Sequence, residues 1–138
     1  MSDKKNDHIV KYHSKQSKVE DVPILPMRSL IIGPSASGKT YLLNNLITNI
    51  YKKCFERVYI FSQSIYLDRT YDPIKETQKE IKNEDLYFET FDESALQNII
   101  NNHSRIISKL KEEKMSEMYN ICIVIDDFID DRRISNNS

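Results

Sequence analysis

Glycine is scarce in this sequence, and both of its copies lie in one short segment. The 138 residues contain two glycines, Gly33 and Gly38, whereas average usage would give about nine or ten. Glycine is the residue that tolerates left-handed backbone and close approach of another group to the main chain. The sequence therefore concentrates its backbone freedom in the segment GPSASGKT, and we expect the special function of the chain to lie there.

Cysteine and long apolar runs are also scarce. Cys54 and Cys122 are the two cysteines, and they form neither a C-x-x-C pair nor a metal-ligand spacing, so we expect two small buried thiols. No apolar run approaches the roughly 18 residues of a membrane span, and Met1–Val10 lacks the apolar centre of a secretory signal. These absences predict an intracellular protein with no membrane partner.

A strong charge of one sign is absent as well. The net charge is −1 and the pI is about 6.3. A chain of this balance is not a polycation that binds nucleic acid through bulk electrostatic attraction. Any contact with nucleic acid is therefore expected to be local.

Hydrophobic patterning predicts strands that alternate with helices. Ser29–Ile32, Arg57–Ser64 and Ile121–Ile125 are apolar or β-branched segments typical of strands. Alternation of this kind is typical of an α/β fold with a mostly parallel sheet and flanking helices. Apolar residues spaced i, i+3, i+4 and i+7 predict an amphipathic helix after Thr40. Further elements are expected as a helix over Ile74–Lys82, a brief strand over Leu86–Phe88 and a helix from Asp92.

The chain is expected to contain one domain. Residues 1–22 are polar and charged without periodicity, which predicts a disordered N-terminal arm. Residues 23–138 are then the α/β domain. A chain of this length is sufficient for one modest core.

The glycine segment matches the pattern G-x-x-x-x-G-K-[ST] between a predicted strand and a predicted helix, which is the P-loop. Backbone amides at the start of the helix would point at a phosphate and add the helix dipole. Lys39 would reach the β- and γ-phosphates of ATP, and the Thr40 hydroxyl would bind Mg²⁺. Pro34 has no N–H and would stiffen the loop. The predicted nucleotide-binding residues are Gly33, Pro34, Ser35, Ala36, Ser37, Gly38, Lys39 and Thr40.

The apolar segment Ile121–Ile125 is followed by two aspartates. In open α/β sheets, ligands collect at the carboxyl ends of the strands. Asp126 is therefore predicted to bind Mg²⁺, with water between them because this ion keeps much of its hydration. Asp127 is predicted to be catalytic, as the carboxylate that orients the attacking water, together with Lys39.

Other nucleotide-dependent classes are weaker interpretations. GTPases need a D-x-x-G motif and usually N-K-x-D, but no glycine follows Gly38 and no N-K pair occurs. A nucleoside or nucleotide kinase remains open because Asp68-Arg69 matches a dipeptide that some kinases use. The third possibility is a nucleotide-binding interaction module that does not hydrolyse ATP.

The segments LIIGPSASGKTYLLNNLI, VYIFSQS and ICIVIDDF resemble the DNA-packaging ATPases of large DNA viruses. These are the poxvirus-type members of the FtsK/HerA group of P-loop NTPases. The resemblance extends over roughly Leu30 to Phe128. It implies an ATP-hydrolysing motor subunit, a homo-oligomeric ring, and double-stranded DNA and capsid components as partners. It also implies a location in the host cytoplasm, the viral factory or the virion.

The sequence departs from this group after Phe128. In the group, a sensor strand with a polar residue follows the acidic strand, and it lies between the P-loop strand and the acidic strand in the sheet. We therefore expect this chain to be a truncated or partial version of the domain. Arg132 and Arg133 could serve as arginine fingers, but a solvated basic tail is the favoured interpretation.

Overall fold

The chain folds as an α/β structure around a three-stranded parallel sheet. The computed structural model describes residues 10–32, 38–67 and 69–126. Within them the strands are β1 (Arg57–Ser62), β2 (Tyr87–Phe88) and β3 (Ile121–Asp126), in the spatial order β2-β1-β3. The predicted α/β class and three of the predicted strands are confirmed.

The central strand β1 aligns with β3 along its whole length. The register runs from Arg57 opposite Ile121 to Ser62 opposite Asp126, so both strands end at the same edge of the sheet. Strand β2 pairs only with the second half of β1, through Ile60 and Phe61. Five of the six β1 residues are buried, as expected for a parallel strand covered on both faces.

In the described ranges, three helices flank this sheet. Helix α1 (Lys39–Asn45) continues as a π-helical turn over Leu46–Ile50, and the predicted helix after Thr40 is thereby confirmed. Helix α2 (Asp72–Thr77) is shorter than the predicted Ile74–Lys82. Helix α3 (Glu93–Glu112) begins where expected, because the Asp92 side chain accepts hydrogen bonds from the Ser94 and Ala95 amides and so caps it.

Two apolar clusters of the core cover the two faces of the sheet, and a third cluster contains Leu25, Tyr51 and Cys54. Alternate residues of β1 belong to different clusters of these two faces, because successive side chains of a strand point to opposite faces. Val58 and Ile60 join Val124 and α1 on one face, whereas Tyr59 and Phe61 pack on the α3 face. The α1-side cluster comprises Ile47, Val58, Ile60, Ile65, Tyr71, Ile74 and Val124.

The segment predicted as the first strand differs in the structure. Ser29–Ile32 has no strand pairing, and the side chains of Leu30 and Ile32 are 82% and 83% exposed. A strand needs a neighbour for its backbone groups, and a cleft lies between this segment and β3 instead. Among the described residues, β3 is paired only on its β1 side.

The N-terminal segment also differs from the expected disordered arm. His13 accepts a hydrogen bond from the Met118 amide at 2.8 Å and donates to the Ser116 carbonyl at 2.9 Å. The Lys15 ammonium contacts a Glu56 carboxylate oxygen at 3.0 Å. Residues 10–22 therefore lie against the domain. His13 forms a parallel β-bridge with Glu117, and composition alone does not predict such a pairing. Residues 1–9 are outside the described residues.

No helix in the described ranges combines the length and the apolar character needed to cross a bilayer.

A buried glutamine completes the edge of β1 that β2 does not reach. The Gln78 side chain is 8% exposed. Its Oε1 accepts from the Val58 amide at 3.0 Å, and its Nε2 donates to the Val58 carbonyl at 2.8 Å. Both backbone groups of Val58 are thus satisfied by one side chain, which acts as a substitute for a neighbouring strand.

We expect Gln78→Ala to lower the free energy of unfolding by about 2–6 kcal/mol, since two buried backbone groups lose their partners at about 1–3 kcal/mol each. Urea denaturation measures this change. The matched control is Gln97→Ala on the exposed face of α3, where Gln97 bonds only to the Asn101 side chain and a change within about 0.5 kcal/mol is expected. Equal losses in the two variants would contradict the role given to Gln78.

Candidate functional site

The described residues contain about half of the predicted site. Gly38, Lys39, Thr40 and Asp126 are within them, whereas Gly33, Pro34, Ser35, Ala36, Ser37 and Asp127 lie outside. The predictions for those six residues therefore remain predictions. Asp68, Arg132 and Arg133 are likewise outside the described residues.

Gly38 has a left-handed backbone, with a φ of +90°. Apart from its chain neighbours, no atom of the described residues lies within 4 Å of the position that a Cβ would take. Glycine is therefore favoured at this position by its left-handed backbone rather than by lack of room for a side chain. Helix α1 starts at the next residue, without an acidic residue in its first turn, so its positive dipole end is not neutralised by its own sequence.

Lys39 and Thr40, at the start of α1, share one cleft with Asp126 at the end of β3. The cleft has a volume of about 300 Å³ and is bounded on its other side by the segment Leu25–Ile31. The structure thus brings an ammonium, a hydroxyl and a carboxylate to one concave surface. These side chains come from two parts of the sequence that the prediction placed at a single site.

The orientation of Asp126 follows from the pleat of β3. Residues Cys122, Val124 and Asp126 alternate with Ile121 and Ile123, and the first set faces the α1 side of the sheet. Because Asp126 is the last residue of β3, its carboxylate projects at the carboxyl edge rather than into the core. This is the edge at which parallel sheets bind ligands.

A tyrosine that the sequence analysis did not single out holds this carboxylate. The Tyr71 hydroxyl donates a hydrogen bond to Asp126 Oδ2. On the neighbouring strand, the fully buried Ser62 is directly opposite Asp126. Tyr71 belongs to no motif and is separated from Asp126 by 55 positions, so nothing in the sequence indicated the contact.

The residue before Tyr71 binds helix α1. Asn44 Nδ2 donates to the Thr70 carbonyl. Asn44 follows Thr40 by four positions, and residues with this spacing lie on the same helix face. Thr70 therefore contacts α1, and Tyr71 contacts Asp126 at the end of β3.

The donor set suits magnesium better than a softer metal. Within the described ranges, no group of three or more His, Cys, Asp or Glu side chains is arranged to hold a metal ion. Mg²⁺ does not require such a cage, because it is usually bound by one or two carboxylates, waters and substrate phosphates. A threonine hydroxyl and a carboxylate on one cleft are oxygen ligands that fit this pattern, and Thr40 and Asp126 would be those ligands.

Cys122 lines the same cleft but lacks the environment of a reactive thiol. Burial raises its pKa from 9.0 to about 11. Burial also raises the pKa of Cys54. A reactive cysteine has a lowered pKa, so both thiols have the structural role predicted for them.

Gln63, Arg69 and His103 do not line this cleft. Gln63 directly follows β1 and is exposed, and Arg69 is exposed beside the undescribed Asp68. His103 lies half-buried on α3, with its ring 6.0 Å from that of Tyr119.

Comparisons of the chain with protein-family models, with curated proteins and with solved structures found no match.

The raised pKa of Cys122 predicts its pattern of alkylation. Between pH 8 and 10, the rate at Cys122 in the folded chain should rise about tenfold per pH unit, because its thiolate fraction is still small. In the urea-unfolded chain, the alkylation rate should level off above pH 9. At pH 8 it should be about 100-fold faster than in the folded chain. Iodoacetamide labelling followed by mass spectrometry of the Cys122 peptide measures both. A plateau near pH 9 in natively folded protein would contradict the assignment.

Proposed function

We propose that this chain binds ATP with Mg²⁺ through a P-loop and hydrolyses it. The observation that carries the proposal is the junction at Gly38. A left-handed glycine starts α1, and the next two residues share a cleft with the carboxylate at the end of β3. The α/β fold with a parallel sheet is compatible with a P-loop NTPase domain.

The residues have distinct roles in this proposal. Lys39 supplies a positive charge that is not paired with a carboxylate in the described ranges, and it binds the β- and γ-phosphates. Backbone amides at the start of α1 donate to the same phosphates, with the helix dipole added. Thr40 and Asp126 would hold a magnesium ion, and such an ion would supply positive charge to the phosphate groups.

Water activation is assigned to Asp127. It directly follows Asp126 in the sequence, and its carboxylate would accept a hydrogen bond from the attacking water and orient that water. This residue is outside the described residues, so the assignment depends on its place in the sequence. General-base or water-positioning groups of this kind typically contribute a factor of 10²–10⁴ in rate.

The particular process is proposed from the family resemblance. The segments around the P-loop, β1 and β3 resemble DNA-packaging ATPases of large DNA viruses, so we propose that hydrolysis drives double-stranded DNA into capsids. A ring of identical subunits would surround the DNA. The near-neutral charge of the chain favours DNA contact through a few local residues over a broad basic surface.

A second candidate is a nucleotide-binding module without turnover. The observation in its favour is that, in the described ranges, β3 pairs on its β1 side only, with the cleft on its other side. An incompletely enclosed site binds phosphate but leaves the attacking water poorly positioned. Binding without hydrolysis, unaffected by DNA, would favour this candidate.

We expect Lys39→Ala to weaken Mg-ATP binding by about 10–100-fold, because a charged hydrogen bond contributes about 1.5–3 kcal/mol, and to abolish ATP hydrolysis. Calorimetry measures binding, and phosphate release with and without double-stranded DNA measures turnover. The control is Lys79→Ala, where the lysine forms an exposed ion pair with Glu76 and no change is expected. Absence of Mg-ATP binding by the folded wild-type chain would refute the proposal.

A further inference from the structure

Tyr71 is held rigidly by its surroundings. Its side chain is 1% exposed and belongs to the α1-side cluster. Its carbonyl accepts hydrogen bonds from the amides of Ile74 at 3.1 Å and Lys75 at 3.0 Å, at the start of α2. With the ring packed and the backbone anchored, the position of the hydroxyl is determined by the fold.

This hydroxyl restricts a carboxylate that would otherwise rotate. Asp126 ends β3 at the carboxyl edge of the sheet, where its side chain has torsional freedom. Donation from the Tyr71 hydroxyl to Oδ2 selects one orientation. The second carboxylate oxygen, Oδ1, would accept from water or bind the cation. A neutral donor also leaves the carboxylate its negative charge, which a lysine or arginine at this place would offset.

The segment that contains Tyr71 also binds helix α1, which carries Thr40. The Thr70 carbonyl accepts from Asn44 on α1, and Asn44 shares a helix face with Thr40. Two consecutive residues thus connect the helix that carries Thr40 to the strand that carries Asp126. Mg²⁺ requires near-ideal octahedral geometry at about 2.0–2.1 Å, so the spacing of these two oxygen ligands affects its affinity directly.

We propose that Tyr71 is a positioning residue for magnesium: it orients Asp126, and together with Thr70 it sets the distance between Asp126 and Thr40. This inference rests on the proposed nucleotide site and goes beyond the motif, in which Tyr71 has no part. Hydrogen-bond partners of metal-binding carboxylates typically change metal affinity by about 10–100-fold when they are removed.

The chain offers a matched control for loss of a tyrosine hydroxyl. Tyr59 is 6% exposed, and its hydroxyl also donates to a carboxylate oxygen, that of Glu84. Tyr59 packs on the α3 face of the sheet, away from the cleft. Tyr71→Phe and Tyr59→Phe therefore remove the same group from similar surroundings, and only the first removes it from Asp126.

The test is the magnesium dependence of ATP binding, measured by titration with MgCl₂ at fixed ATP and, separately, in EDTA. We expect Tyr71→Phe to raise the half-saturating Mg²⁺ concentration by about tenfold or more, with metal-free ATP binding unchanged. Tyr59→Phe should match the wild type in both. Equal magnesium dependence of Tyr71→Phe and wild type would overturn the inference, and so would an equal shift in both variants.

A double-mutant cycle shows whether Tyr71 acts through Asp126. In the Asp126→Asn background, Tyr71→Phe should have little further effect on magnesium dependence, because coupled residues are non-additive. Full additivity would contradict the inference. If Tyr71→Phe fails to fold, Asn44→Ala replaces it. Asn44→Ala should raise the magnesium requirement several-fold, and no change would count against the Thr70–Tyr71 connection.

Failure of the proposed function has a different signature. A folded wild-type chain that binds no ATP, with or without Mg²⁺, refutes the nucleotide site itself. A wild-type chain that binds Mg-ATP while Tyr71→Phe is indistinguishable from it refutes the role of Tyr71 alone.

Discussion

The in-register parallel pairing of β1 with β3 is the constraint on which the rest of the structure depends. It joins residues separated by more than 60 positions along the chain, from Arg57 with Ile121 to Ser62 with Asp126. The pairing forms the sheet, and the apolar clusters packed on its two faces bury β1. A shift by one residue would move Asp126 to the α3 face and remove it from the cleft.

The cleft exists because α1 packs on one face of this pair. Leu43 of α1 and Ile47 of the π-helical turn that follows it pack in the same cluster as Val58 and Val124. The start of α1 lines the cleft together with Asp126 at the carboxyl edge of β3. The polar groups of the site are consequently positioned by apolar contacts deeper in the sheet. Tyr71 connects the apolar cluster to the polar site, because its ring belongs to the cluster and its hydroxyl binds Asp126.

Local residue patterns predicted secondary structure correctly where an element is stabilised by its own residues or is buried along its whole length. Arg57–Ser62 and Ile121–Asp126 are strands as their β-branched content predicted, and α3 begins after the Asp92 cap. Pattern failed at Ser29–Ile32, where an apolar run lacks a pairing partner, and at residues 10–22, where pairing occurs despite polar composition. Strand formation depends on neighbours that may be distant in sequence, so short runs are the hardest to assign.

The sequence by itself determined the α/β class, the two main strands, the helix that follows Thr40, and the hypothesis that Lys39, Thr40 and Asp126 act together. These depend on residue type and spacing, which are local properties. Only the tertiary structure decided that Tyr71 binds Asp126, that Asn44 binds Thr70, and that Gln78 completes the edge of β1. Such contacts join side chains across loops, and their existence depends on register and packing that no single segment encodes.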